Sequence, residues 1–89
     1  MQKYLAEKPL KSNWILVKDG DYYVKLTLEV IDYFEASGNY LHVFSNNKFY
    51  KCRSTIKEML EVIPKDAFIQ THRAFIVNRN KISNLMRAV

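Results

Sequence analysis

The sequence predicts a mainly β domain of the α+β class, built of short antiparallel strands with one short amphipathic helix. Three observations carry that expectation. Short runs rich in aromatic and β-branched residues recur along the chain, as a pleated, half-buried surface prefers. An Asp19-Gly20 pair separates two such runs, the strongest local signal for a hairpin. A single segment, residues 55–63, departs from strand character and repeats its apolar residues at helical spacing.

Residues 1–13 (MQKYLAEKPLKSN) place Lys, Ser and Asn around Pro9 without sustained periodicity and read as an incoming linker or arm, which leaves the domain to residues 14–89. Trp14–Lys18 and Tyr22–Leu26 flank the Asp-Gly pair and form the first expected hairpin. Ile31–Ala36 runs into the turn Ser37-Gly38-Asn39, Tyr40–Ser45 into the turn Asn46-Asn47, and Lys48–Arg53 completes a meander. In the helical segment Ile56, Met59, Leu60 and Ile63 fall at i, i+3, i+4 and i+7, with Leu60 expected at the centre of the apolar face. Thr55 and Glu58 have the spacing of a capping box, and Pro64 cannot continue the helix. The opposite face, Lys57, Glu58 and Glu61, is mixed in sign, so the helix is expected to buttress the sheet and not to read a ligand. Phe68–Thr71 and Phe75–Val77 bracket His72-Arg73-Ala74; Asn78-Arg79-Asn80 reads as a polar turn and Lys81–Met86 as the start of a last strand.

The 89 residues, 48% hydrophobic and 26% charged, suit one ordinary globular domain with little room for a deep enclosed pocket, so no enzymatic activity is expected. No apolar run approaches the roughly 18–20 residues needed to span a bilayer, and the N-terminus lacks a signal-peptide core, so a cytoplasmic protein without a membrane partner is expected. Cys52 is the only cysteine and can make neither an internal disulfide nor a cysteine-rich zinc site. Its neighbours Lys51 and Arg53 could lower its pKa, while the plainer expectation is a small buried strand residue. His42 and His72 stand thirty residues apart without partners at ligand spacing, and the two glycines, Gly20 and Gly38, both fall in turns and not in a phosphate-binding loop. No metal and no cofactor are expected.

The net charge of +5 is unevenly spread. Residues 1–47 carry five Lys/Arg against six Asp/Glu, whereas residues 48–89 carry nine against three. A basic half favours a polyanion as partner. The helix is not followed by a second one, so a helix-turn-helix is excluded, and nucleic acid would have to be read from loops or strands. The stretch Phe68 to Ile82 offers two polar tips between apolar strand residues, His72-Arg73 and Asn78-Arg79-Asn80-Lys81. An arginine on a short loop can present its planar fork to guanine O6 and N7, and His, Asn and Lys nearby can hold phosphates. The same charges could equally form exposed, solvated turns.

The block Phe68 through Ile82 closely resembles the most diagnostic block of the LytTR family, in which Phe precedes a His-Arg-Ser-like triplet, an aromatic, an aliphatic pair, Asn, and then Ile. Ile31-Asp32-Tyr33-Phe34-Glu35-Ala36-Ser37-Gly38-Asn39-Tyr40 resembles its other hallmark, a strand ending in Glu-Ala and a Gly-Asn-Tyr turn, and Arg53-Ser54-Thr55-Ile56 through Leu60 is similar to its helix start. The three blocks keep the family's order and spacing over about residues 14–86. The resemblance implies an elongated antiparallel, β-sandwich-like fold whose loops enter successive major grooves of double-stranded DNA, as the output domain of a two-component response regulator. It implies base reading by Tyr40 and Arg73, and backbone contacts or loop shaping by Asn39, His72, Asn78, Arg79 and Lys81. Lys48 and Arg53 are further candidates for phosphate contact, given the basic half in which they lie. A receiver domain in the full-length protein and binding to paired DNA repeats as a homodimer are likewise implied.

Two departures accompany the resemblance. Ala74 stands where Ser is usual, removing one hydroxyl, and the family's final hairpin, with a further basic contact, is absent from this sequence. A protein–protein or dimerisation module with an open sheet edge remains an alternative. So does a single-strand or RNA binder that stacks bases on Tyr22, Tyr23 and Tyr50. Convergence of Arg73 and Arg79 with Lys81 and Tyr40 on one protruding face would favour duplex DNA; a flat aromatic sheet surface would favour single strands.

Overall fold

A computed structural model of the chain describes residues 13–81. The order of elements is β1 (Trp14–Asp19), β2 (Tyr22–Thr27), a 3-10 turn (Leu28–Val30), β3 (Ile31–Ser37), β4 (Tyr40–Ser45), β5 (Lys48–Cys52), α1 (Ile56–Leu60), β6 (Phe68–His72) and β7 (Phe75–Asn78). β1 and β2 form a two-stranded sheet; the other strands form a five-stranded antiparallel sheet in the order β5-β4-β3-β7-β6. The body is elongated, with extents of 41 × 30 × 23 Å.

Turn chemistry fixes the registers. Gly20 (φ 63) and Gly38 (φ 62) each take the first position of a two-residue hairpin loop, where the positive φ suits glycine. Asn46 (φ 51) and Asn47 (φ 68) both adopt the left-handed region, the type I′ pattern whose twist matches the flanking strands β4 and β5.

Alternation along the strands, broken by register shifts at Ile31/Tyr33 and Gln70/His72, then sorts the faces of the large sheet. Phe34, Leu41, Val43, Cys52, Ile76 and Phe68 point inward, where they meet Ile15 and Val17 of the first hairpin and Ile56, Met59, Val62 and Ile63 from the helix and its exit. β1 packs along β5, so the small sheet and the helix cover one face of the large one. The helix is capped as its sequence requires: Thr55 Oγ1 accepts from the Glu58 amide at 3.1 Å, and Glu58 Oε1 accepts from the Thr55 amide at 3.1 Å.

The structure corrects two sequence expectations and adds one element. Leu60 is only half-buried, and Met59 and Val62 occupy the centre of the packed surface; the α-helix ends at Leu60, and tightening of its exit turns Val62 inward. The 3-10 turn at Leu28–Val30 has no separate signal in the sequence. Arg79, Asn80 and Lys81 are helical, where a polar turn and the start of a strand were expected. The remainder of that expected strand, residues 82–86, lies outside the described residues, as does most of the expected N-terminal arm.

Candidate nucleic-acid interface

Register places the candidate residues at two ends of the large sheet. β3 runs toward Ser37, β4 starts at Tyr40 opposite it, β5 arrives at Cys52 opposite Leu41, and His72 and Phe75 close the β6–β7 hairpin beside Glu35. Asn39, Tyr40, Arg53, His72 and Arg73 therefore stand together at one end, the tip of the sheet. Lys48, opposite Ser45, and Asn78, Arg79 and Lys81, beyond the Tyr33–Val77 pair, stand at the other. The length of β3 separates the ends by about 20 Å. Arg79 and Lys81 thus do not converge with Arg73 and Tyr40.

The tip is preorganised. Between the Gln70–Ile76 and His72–Phe75 pairs the register slips, leaving Thr71 as an extra residue on β6. A bulge of this kind bends a strand and re-aims the side chains beyond it, here His72 and the exposed Arg73. The Ala74 amide donates to His72 Nδ1 at 3.2 Å, and the Ala36 amide donates to the Ala74 carbonyl oxygen at 2.8 Å. With Nδ1 accepting, the neutral His72 ring carries its proton on Nε2, as a donor to solvent or an anion. Tyr40 is half-buried, with Lys51 Nζ over its ring at 5.0 Å and Arg53 Cζ at 5.7 Å. Asn39 is exposed in the β3–β4 turn.

The far end is built differently. Asn78 is buried and committed to the fold: its Nδ2 donates to the Ile31 carbonyl at 2.8 Å and the Leu28 carbonyl at 3.3 Å, and its Oδ1 accepts from the Asn80 amide at 2.9 Å. Its side chain is a joint between strands and turn, and a direct contact with the DNA backbone would need it on the surface. Lys81 is half-buried and ion-paired with Asp32. Arg79 and Lys48 are exposed.

Sequence reasoning missed Lys51. Its signal was present in Lys51-Cys52-Arg53: in a strand whose cysteine points inward, both basic neighbours point outward together. The same alternation removes their influence on the thiol. Burial pushes the Cys52 pKa up, Asp19 and Glu58 add to the rise, and a hydrogen bond with the Lys18 backbone opposes it. The lowering suggested by its sequence neighbours does not occur.

The outer face of the large sheet carries a cross-strand row, Ile69, Val77, Tyr33, Phe44 and Phe49, each opposite the next. Tyr33 and Phe44 stack on each other at 4.4 Å and 13°, and Phe44 on Phe49 at 5.5 Å and 29°. The faces that stack on one another are not open to a base, although Phe49, at the end of the row, is exposed. The three tyrosines expected as a platform do not form one: Tyr50 packs against the core, and Tyr22 and Tyr23, adjacent on β2, point to opposite sides. Among the described residues no helix is long and apolar enough to cross a membrane.

Comparison with known proteins agrees with the fold. The family model described as the LytTr DNA-binding domain matches residues 21–88. The sensory transduction protein LytT of Enterococcus faecalis is 32% identical over 80 residues, covering 90% of this chain and 33% of the relative. This chain thus spans about a third of that protein's length. A solved structure, the LytTr DNA-binding domain of a protein described as a methyl-accepting/DNA response regulator from Bacillus cereus, superposes with a TM-score of 0.67 at 28% identity, covering 78% of this chain and 63% of that one.

Proposed function

Because the chain belongs to the LytTr DNA-binding domain family, we propose that it binds double-stranded DNA with sequence preference through the tip of its five-stranded sheet, as the output domain of a transcription regulator. The observation that carries this reading is the placement of Lys51, Arg53, His72 and Arg73 at the same end of the five-stranded sheet, where the Ala36–Ala74 bond pins the Arg73 turn to β3. Positive charges set along one end of a sheet favour an anionic partner. Turns narrow enough to protrude suit a major groove about 12 Å wide.

Arg73 is the base reader in this proposal: it is exposed, stands on a bulge-directed turn, and its fork can bridge guanine O6 and N7. His72 shapes that turn and offers Nε2 to a phosphate; Asn39 and Arg53 take backbone contacts beside it. Lys48 and Arg79, at the far end, add positive potential that draws the duplex in. The stacking of Tyr33, Phe44 and Phe49 on one another argues against the single-strand reading, since the faces in contact are closed to bases.

The wider setting belongs to the same proposal. The full-length protein would join this domain to a receiver domain, act in the cytoplasm, and bind paired repeats as a homodimer. The Enterococcus faecalis relative, described as a sensory transduction protein and about three times as long as the matched part, supports an added signalling domain.

The test is selection of bound duplexes from a random pool, followed by salt titration of the winners. An enriched common sequence is expected, with a log–log salt slope of about −0.9 for each phosphate neutralised. Binding without enrichment, or binding indifferent to salt, would count against the proposal.

A further inference from the structure

The tip contains a residue whose chemistry conflicts with the role its position suggests. Tyr40 occupies the start of β4, next to the turn that carries Asn39, and the sequence expectation gave it a base to read. Its ring, however, is already engaged. Lys51 Nζ lies 5.0 Å and Arg53 Cζ 5.7 Å from the ring centroid, both within the roughly 6 Å over which an aromatic quadrupole attracts a cation.

The two cations are neighbours by construction. Leu41 pairs with Cys52, and with Cys52 facing the core Lys51, the residue before it on β5, and Arg53, the residue just past the strand end, both stand near the Tyr40 ring. The Lys51 amide donates to Asp19 Oδ2 at 3.1 Å, which ties the first hairpin to β5 and fixes where Lys51 stands. Neither Lys51 nor Arg53 forms an ion pair among the described residues, where the one such pair joins Lys81 and Asp32. Two exposed like charges repel each other in free solution. The shared aromatic ring holds them together without neutralising them, so both remain available to an anion.

We infer that Tyr40 is a positioning residue, whose ring holds Lys51 and Arg53 as a paired cationic grip on the DNA backbone, and that its hydroxyl reads no base. The inference rests on the duplex-binding reading above, and it adds Lys51 to the interface. It leaves base discrimination at the tip to Arg73.

The experiment uses the whole chain, a duplex selected by the wild-type protein, its single-base variants, and a random-sequence duplex of equal length. Each is titrated over a range of salt, with melting curves for every protein. Lys51→Ala is expected to weaken all the duplexes by the same factor and to make the salt slope shallower by about 0.9. Tyr40→Ala should do the same through its two neighbours, with single-base preferences intact. Tyr40→Phe, which keeps the ring and loses only the hydroxyl, should restore both affinity and slope. Should Tyr40→Ala prove unstable, Lys51→Ala and Tyr40→Phe alone decide the matter, since the first removes an exposed side chain and the second a single oxygen. A Tyr40→Phe protein that loses preference at one base position would overturn the inference and leave duplex binding standing, as would an unchanged salt slope in Lys51→Ala. A wild-type chain with no salt-dependent affinity for duplex would overturn both.

Discussion

The Ala36 amide donates to the Ala74 carbonyl oxygen at 2.8 Å, so the turn that presents Arg73 is pinned to the strand that leads to Asn39 and Tyr40. The next link is the bond from the Ala74 amide to His72 Nδ1 at 3.2 Å. His72→Ala removes that acceptor from an exposed site, and is expected to change stability by less than about 1 kcal/mol. The Ala74 amide should then exchange with solvent faster, and duplex affinity should fall. Unchanged exchange at Ala74 would show that the turn is held without His72.

The helix anchors the inner face through Met59, which is fully buried, and not through the half-buried Leu60. Met59→Ala is expected to cost on the order of 2–5 kcal/mol, enough to unfold much of so small a domain. Leu60→Ala should cost clearly less, and Glu61→Ala, on an exposed site, less than about 0.5 kcal/mol. Urea denaturation of the three variants ranks them, and an equal loss for Met59 and Leu60 would refute the order.

Asn78 shows how a polar residue in a basic, turn-like sequence can belong to the core. Its side chain donates to the Ile31 and Leu28 carbonyls and accepts from the Asn80 amide, so Asn78→Ala takes a partner from the Ile31 carbonyl and the Asn80 amide, while the Leu28 carbonyl keeps the Ile31 amide. Each such group left unsatisfied costs about 1–3 kcal/mol. The expected result is a large fall in denaturation midpoint. A variant with wild-type stability and weakened duplex binding would instead return Asn78 to the interface.

Much of this was legible in the sequence because it depends on local rules. Turn residues at Gly20, Gly38 and Asn46-Asn47 fix the hairpins, and the Thr55–Glu58 box starts the helix. Spacing along the chain carries no such information about which strand ends meet. The order β5-β4-β3-β7-β6 brings Arg53 and Arg73 to one end and sends Arg79 to the other, although Arg79 is only six residues from Arg73. Lys81 illustrates the same limit: its partner Asp32 is distant in sequence, so a lysine expected on a phosphate is held by a carboxylate. Leu60 was misjudged for a different reason, since the 3.6-residue period assumes a helix longer than the one that forms.

Cys52 provides a pH-dependent test. Burial raises its pKa in the folded state, so on titration with alkali the unfolded chain ionises first. The contribution to stability is therefore constant at lower pH and declines as pH rises past the ordinary thiol range toward the folded value. Cys52→Ala should abolish that component of the alkaline decline. In the native protein at neutral pH, a thiol reagent should label Cys52 slowly, and denaturant should release it. Rapid labelling of the folded chain would contradict the burial.

In the proposed interface Arg73 discriminates between bases while the other cations of the tip hold the backbone. Affinities for a panel of single-base variants of the selected duplex, at fixed salt, test that division most directly. Arg73→Ala, with a wild-type melting curve, is expected to lose roughly 1–3 kcal/mol on the preferred duplex and to flatten discrimination at one position, with the other positions unchanged. If Arg73→Ala lowers affinity by the same factor for every duplex in the panel, Arg73 is a backbone contact and the assignment of the reader is wrong.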